Sequence, residues 1–197
     1  LIACVFALNA RADLRVGFGE ADITPDLKAE KGVFLAGYGQ GRRATAVHDP
    51  LFARAVVLSD GKRKIAFVAC DLIGVMYPTV KAVRAKLAGF DYVMVSATHN
   101  HEGPDTIGLW GASPIQTGVD PAYTAELIDG CVAAVLAAQK NLAAVKATYG
   151  AAEDTSLLGD SRQPQVFDGV LRVLYFTRTS DAKPHGLLVQ WNCHPEA

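Results

Sequence analysis

The sequence predicts an α/β fold: a mixed β-sheet core flanked by helices, with a metal site at the C-terminal ends of strands. Three observations predict it. Apolar strand-like runs alternate with segments of helical period. Asp60-Gly61 lies between two such runs, a strong hairpin signal. Three runs also end in residues that bind metal or move protons. Residues 93–98 lead into His99-Asn100-His101, residues 187–191 into Asn192-Cys193-His194, and residues 65–70 into Asp71. Open α/β sheets place ligand sites outside the carboxyl ends of their strands.

The elements follow in order. Residues 1–8 are a short apolar run, and Ala10-Arg11-Ala12 behind it is a small-x-small cleavage pattern. We read residues 1–12 as the remnant of a secretory signal, which predicts a secreted or periplasmic protein. The alternative is a buried first strand. Residues 14–18 read as a strand closed by the turn Asp22-Ile23-Thr24-Pro25-Asp26. The glycine-rich run Gly37-Tyr38-Gly39-Gln40-Gly41 lacks the Lys-Ser/Thr of a phosphate loop and reads as a turn-rich approach to a cleft. Residues 51–58 and 65–71 form the hairpin. Val80, Val83 and Leu87 fall at helical spacing, so residues 78–88 form a helix entered at Pro78. Residues 91–98 are the next strand, which completes a crossover unit.

Residues 99–120 show no period and carry His-x-His, Gly103-Pro104 and Trp110. Loops this long in compact domains are functional or disordered, and this one reads as lining a site. Asp120 caps a helix with Pro121 in its first turn. Ile128, Cys131, Val132, Val135 and Leu136 share one face of it. Residues 145–151, 170–176 and 187–191 are further strands. No segment reads as membrane-spanning.

The chain has 197 residues, half of them apolar and a fifth charged, which suits one sizeable core. The net charge of −1 with no basic run argues against a nucleic-acid partner. Without a C-x-x-C pair, Cys70 and Cys131 read as buried free thiols. Strand alternation turns Cys193 toward the core and His194 toward the polar side.

His99 and His101 are two apart, so on an extended chain they project to one side and can face one ion. Either could instead be an acid or base beside the ion, or simply structural. His194 is the third imidazole. Asp71, Glu102, Asp105 and Glu196 are the candidate carboxylates. Asp71 could orient a ligating histidine or serve as a turn residue. Arg162, in the loop before residue 170, could hold an oxyanion or a substrate carbonyl, or be exposed. His48 reads as a turn residue and His185 as surface.

Several stretches together resemble the neutral/alkaline non-lysosomal ceramidases, specifically the N-terminal part of their catalytic domain. They are residues 16–25, Gly37-Tyr38, residues 51–55, residues 96–104, Asp160-Ser161-Arg162 and Asn192-Cys193-His194-Pro195. The resemblance covers residues 14–197, so residues 13–197 are taken as that part of the domain, truncated at its C-terminus. It implies one zinc ion ligated by His99 and His194, with a Glu and a Tyr beyond residue 197 completing the set. It assigns His101 and Arg162 to activating water and holding the amide. The implied reaction is zinc-dependent hydrolysis of the N-acyl amide of ceramide or a related lipid, with peripheral membrane contact and no protein partner. The stretch from Asn100 to Asp105 replaces the small residues usual in the family. Two alternatives therefore stand beside this reading. One is a metal-dependent hydrolase of an ester or non-lipid amide. The other is a non-catalytic secreted domain that binds metal or lipid.

Overall fold

The computed structural model describes residues 14–28 and 32–194 and the backbone of residues 6–7. The chain order is β1 (Phe6–Ala7), β2 (Arg15–Asp22), β3 (Phe52–Ser59), β4 (Lys64–Cys70), α1 (Tyr77–Lys86), β5 (Tyr92–Ala97), α2 (Pro121–Lys140), β6 (Ala143–Glu153), β7 (Val170–Arg178) and β8 (Pro184–Gln190). Seven strands lie in the order β5-β4-β3-β2-β6-β7-β8, with β1 beside β6. The mixed sheet is thus as expected. β4 and β5 run parallel and every other pair is antiparallel.

Period-two alternation sorts the strands into two faces. Ala53, Ala55 and Val57 of β3, Ala66, Val68 and Cys70 of β4, and Val93 and Val95 of β5 pack in one core with α1 and α2. Val16, Val56, Val145 and Phe176 form a second core, joined by Phe18, Phe67 and Leu188. Among the described residues, helices therefore cover one face only. On the other face β6, β7 and β8 curl back over β2. The sheet can curl there because β2 and β6 share only the pairs Arg15–Ala144 and Val16–Ala143. His185 Nε2 then reaches the Val16 carbonyl at 2.8 Å, and its ring meets Phe18 edge-on at 5.5 Å. His185 is half-buried, not a surface residue: it ties the last strand to the second.

α2 lies against β2 through two glycines. A Cβ at Gly17 would come within 2.0 Å of the Ala138 carbonyl oxygen, and one at Gly19 within 2.5 Å of the Ala134 carbonyl oxygen. The helix starts as predicted. Asp120 accepts from the Ala122 N–H at 2.8 Å and Pro121 opens the first turn. Tyr123 donates its hydroxyl hydrogen to the Ile23 carbonyl at 2.8 Å, tying that turn to the chain just past β2. The buried face includes Cys131 and Val135, with Ile128 and Val132 packed against it, as predicted, but it extends to residues not predicted and leaves Leu136 out. Tyr123, Leu127, Cys131, Ala134, Val135 and Ala138 are buried, whereas Leu136 is exposed. Small residues on α2 permit the close approach to β2, and a pattern read from large aliphatics alone does not register them. α2 is also long and apolar enough to cross a membrane by length and composition. In this fold it is the central core helix, packed across β2 and β3.

β2 runs on to Asp22, where a turn was expected, because it pairs with β3 along its whole length. α1 lacks a side-chain cap at Met76 and relies on Pro78 in its first turn. The proposed signal remnant lies mostly outside the described residues. Within it, Phe6 and Ala7 pair with Tyr149 and Thr148 of β6.

Replacing Gly17 by Ala should lower stability by about 2 kcal/mol or more, because helix and strand must separate. Gly150→Ala, where a Cβ meets nothing within 4 Å, should change it by less than about 0.5 kcal/mol. Urea midpoints of the two variants check this.

Candidate metal centre

The parallel pairing of β4 and β5 continues past both strand ends. The Thr98 N–H donates to the Cys70 carbonyl at 2.9 Å and the Asn100 N–H to the Leu72 carbonyl at 3.1 Å. Between them His99 takes a left-handed backbone, φ 67°, uncommon outside glycine. Its Nδ1 lies 2.7 Å from the Ile73 carbonyl oxygen. A carbonyl only accepts, so Nδ1 carries the hydrogen and Nε2 keeps its lone pair. This is the arrangement that orients a metal-ligating imidazole.

The Asn100 side-chain oxygen accepts from the Glu102 N–H at 2.8 Å, and this local turn swings His101 back beside His99. The two histidines meet because the chain turns, not because it is extended as the i, i+2 argument assumed. Gly37 backs the His101 ring: at φ 113° a Cβ there would lie 2.5 Å from His101 Nδ1. Tyr38 stands beside the same ring, centroids 5.7 Å apart. His194, just beyond β8, closes the group. The ring centroids are 4.8 Å (His99–His101), 4.5 Å (His99–His194) and 4.8 Å (His101–His194) apart, all inclined edge to face.

One nitrogen from each ring lies within 4.8 Å of the others. Two nitrogens on opposite sides of one ion at 2.0–2.1 Å span roughly 4.2 Å, so a small inward rotation seats an ion. Imidazole nitrogens suit zinc and several other divalent transition ions. The donor set therefore fits a metal. His99 and His101 are half-buried and His194 is exposed.

The loop that follows His101 is held by backbone. The Ala36 N–H donates to the Gly103 carbonyl, the Asp105 N–H to Phe34 and the Gly41 N–H to Gly111, at 2.8–3.0 Å. Its anchor is Asp105, 1% exposed. One carboxylate oxygen accepts from the Ile107 and Gly108 N–H groups at 3.0 and 2.7 Å, the other from Trp110 and Gly118 at 3.0 and 3.2 Å. Four backbone donors thereby converge on one buried side chain. At the rim Glu102 takes Arg42 in a two-pronged ion pair at 2.7 and 3.0 Å, and the Arg42 guanidinium lies 5.3 Å from the Tyr38 ring.

Other candidates fall elsewhere. Asp71 accepts from Arg54 at 2.7 Å and from the Phe52 N–H at 3.0 Å. It orients β3 rather than a histidine, and the Ile73 carbonyl takes that role. Arg162 sits in the loop after β6, 92% exposed and 3.6 Å from Asp160, and the structure does not bring it against the histidines. The Arg162 and Val166 N–H groups hold the Asp160 carboxyl below its ordinary value. His48 pairs with Asp49 at the surface, as a turn residue. Cys193 is exposed, not in the core, because β8 ends at Gln190 and alternation stops there. Glu196 lies outside the described residues. Arg42 and the Ile73 carbonyl escaped sequence reasoning. Arg42 carried only the hint of its place behind the glycine-rich run, and a backbone carbonyl leaves no signature.

Residues 14–157 match the family described as neutral/alkaline non-lysosomal ceramidase, N-terminal. The chain is 30% identical over 190 residues to the neutral ceramidase of Pseudomonas aeruginosa, covering 84% of this chain and 28% of that one. To the neutral ceramidase of Mycobacterium tuberculosis it is 32% identical over 170 residues, covering 79% and 26%. The crystal structure of the Pseudomonas aeruginosa enzyme superposes with a TM-score of 0.71 at 25% identity, over 91% of this chain and 32% of that one. A ceramidase complexed with C2 gives a TM-score of 0.74 at 24% identity, over 90% and 31%, a likeness of fold. An α/β chain with three converging imidazoles thus belongs to the neutral/alkaline non-lysosomal ceramidase family, through its N-terminal domain. It spans less than a third of the length of the relatives it matches.

Asp105→Asn should destabilise the protein by about 3 kcal/mol, since an amide accepts on one side only and leaves one pair of N–H groups facing its own NH₂. Limited proteolysis should then cut within residues 105–118 of the variant and spare the parent.

Proposed function

We propose that this chain carries part of the active site of a zinc-dependent hydrolase that cleaves the N-acyl amide of ceramide or a closely related lipid. The observation that carries the reading is the convergence of His99, His101 and His194 just past β5 and β8, in a chain of this family. His99 and His194 would hold the ion, with further ligands supplied from beyond residue 197. When bound, zinc supplies a polarised carbonyl and a water of lowered pKa.

The chain's own residues do the rest. The Ile73 carbonyl fixes the His99 tautomer so that Nε2 points its lone pair into the cluster. The Nδ1 side of His101 packs on Gly37, so the buried Nε2 is the atom that accepts the proton of the attacking water and returns it to the leaving amine. Arg162 would hold the amide oxygen, which requires its guanidinium to leave Asp160 as the loop closes on substrate. A bilayer-borne substrate implies peripheral membrane contact, and export to the periplasm or outside the cell is proposed on the small-x-small pattern Ala10-Arg11-Ala12, although Phe6 and Ala7 before it pair with β6.

A second reading rests on Glu102. Its ion pair with Arg42 puts charge at the rim, beside the ring that would move the proton, which suits a more polar amide or ester. The test is hydrolysis of a fluorescent N-acyl-sphingosine by the whole protein, beside a panel of simple esters and amides. Chelation should abolish fatty-acid release and zinc should restore it. His99→Ala or His194→Ala should reduce turnover at least about 10³-fold, with His101→Ala lowering kcat more than it raises KM. Chelator-sensitive turnover of the panel alone would support the second reading. Turnover that survives complete chelation would contradict both.

A further inference from the structure

We propose that Cys70 and Cys131 are joined by a disulfide that staples α2 to the C-terminal end of β4. The two sulfurs lie 3.5 Å apart and both residues are fully buried. They are 61 positions apart in sequence. Cys193, the other described cysteine, is exposed and does not compete. Both thiols are free in this structure; a disulfide needs about 2.05 Å between sulfurs, a closure of about 1.5 Å between elements already packed together.

The chemistry balances as thiol–disulfide exchange. The Cys70 or Cys131 thiolate attacks the disulfide of an oxidising exchange partner, a thiol–disulfide oxidoreductase or oxidised glutathione. The other thiolate then displaces that partner. Two protons and two electrons leave the pair, and the partner is reduced to its thiols. The contact with Cys131 and burial push the Cys70 thiol upward in the folded state, while the same contact holds the Cys131 thiol down.

The position gives the bond a purpose. Cys70 precedes Asp71, Leu72 and Ile73, and the carbonyls of Leu72 and Ile73 hold Asn100 and His99. A covalent tie there steadies the platform under the histidines. It also removes freedom from the unfolded chain across a long loop.

The test is to export the whole protein to an oxidising compartment, denature it in N-ethylmaleimide without reductant, and map its peptides by mass. We expect one linked peptide pair containing Cys70 and Cys131, unlabelled until reduced. We also expect a Tm on the order of 10 °C above that of the same protein made in a reducing cytosol. The Cys70→Ala/Cys131→Ala variant should lose the linked pair and show no such difference between compartments. Labelling of both thiols before reduction, in exported protein that circular dichroism shows to be folded, would overturn the proposal. The readout is thiol chemistry, so it stands apart from the hydrolase reading.

Discussion

The parallel register of β4 and β5 is the constraint on which the rest of this structure depends. Parallel strands share a direction, so both C-terminal ends emerge together and their hydrogen-bond ladder can continue into the loops. Here it continues through the Cys70 and Leu72 carbonyls to Thr98 and Asn100. That extension holds His99 in its left-handed conformation and brings its Nδ1 to Ile73. An antiparallel pair would send the two ends apart, and no carbonyl would await the histidine.

Around that pair, the fold solves two packing problems in different ways. Small residues let α2 lie directly on β2, as Gly17 and Gly19 meet the carbonyls of Ala138 and Ala134. Among the described residues the opposite face has no helix, and β6 to β8 curl over it instead. This curl carries β8 across β2, where His185 meets Val16, and it delivers His194 to the same end of the molecule as His99. The centre therefore joins residues nearly a hundred positions apart through one bend in the sheet. The glycine-rich run packs on His101 at Gly37 and is tied by backbone bonds to the loop anchored on Asp105.

Much of this was legible in the sequence because it is written in local chemistry. The Asp60-Gly61 hairpin, the Pro78 and Asp120-Pro121 helix starts and the run from 91 to 98 all depend on neighbouring residues, and they fold as read. The three histidines were legible too, as polar residues ending apolar strands. What the sequence hid was set by distant partners. The buried face of α2 follows alanines that matter only because β2 offers glycines. His99 and His101 meet through a left-handed residue and an Asn100 turn, where alternation suggested an extended chain. Asp71 could have oriented a histidine or served as a turn residue, and only the fold showed that it pairs with Arg54. Cys193 faces solvent because the strand ends before it, a boundary that periodicity does not mark.

The central claim is that His99 and His194 jointly ligate a catalytic ion while His101 stands beside it. X-ray absorption at the zinc edge of the purified whole protein tests it most directly. The account predicts a first shell of nitrogen and oxygen near 2.0–2.1 Å with at least two imidazole ligands, lost in the His99→Ala/His194→Ala variant while the fold is kept. A zinc shell unchanged in that variant, or one without imidazole, would place the ion elsewhere and contradict the account.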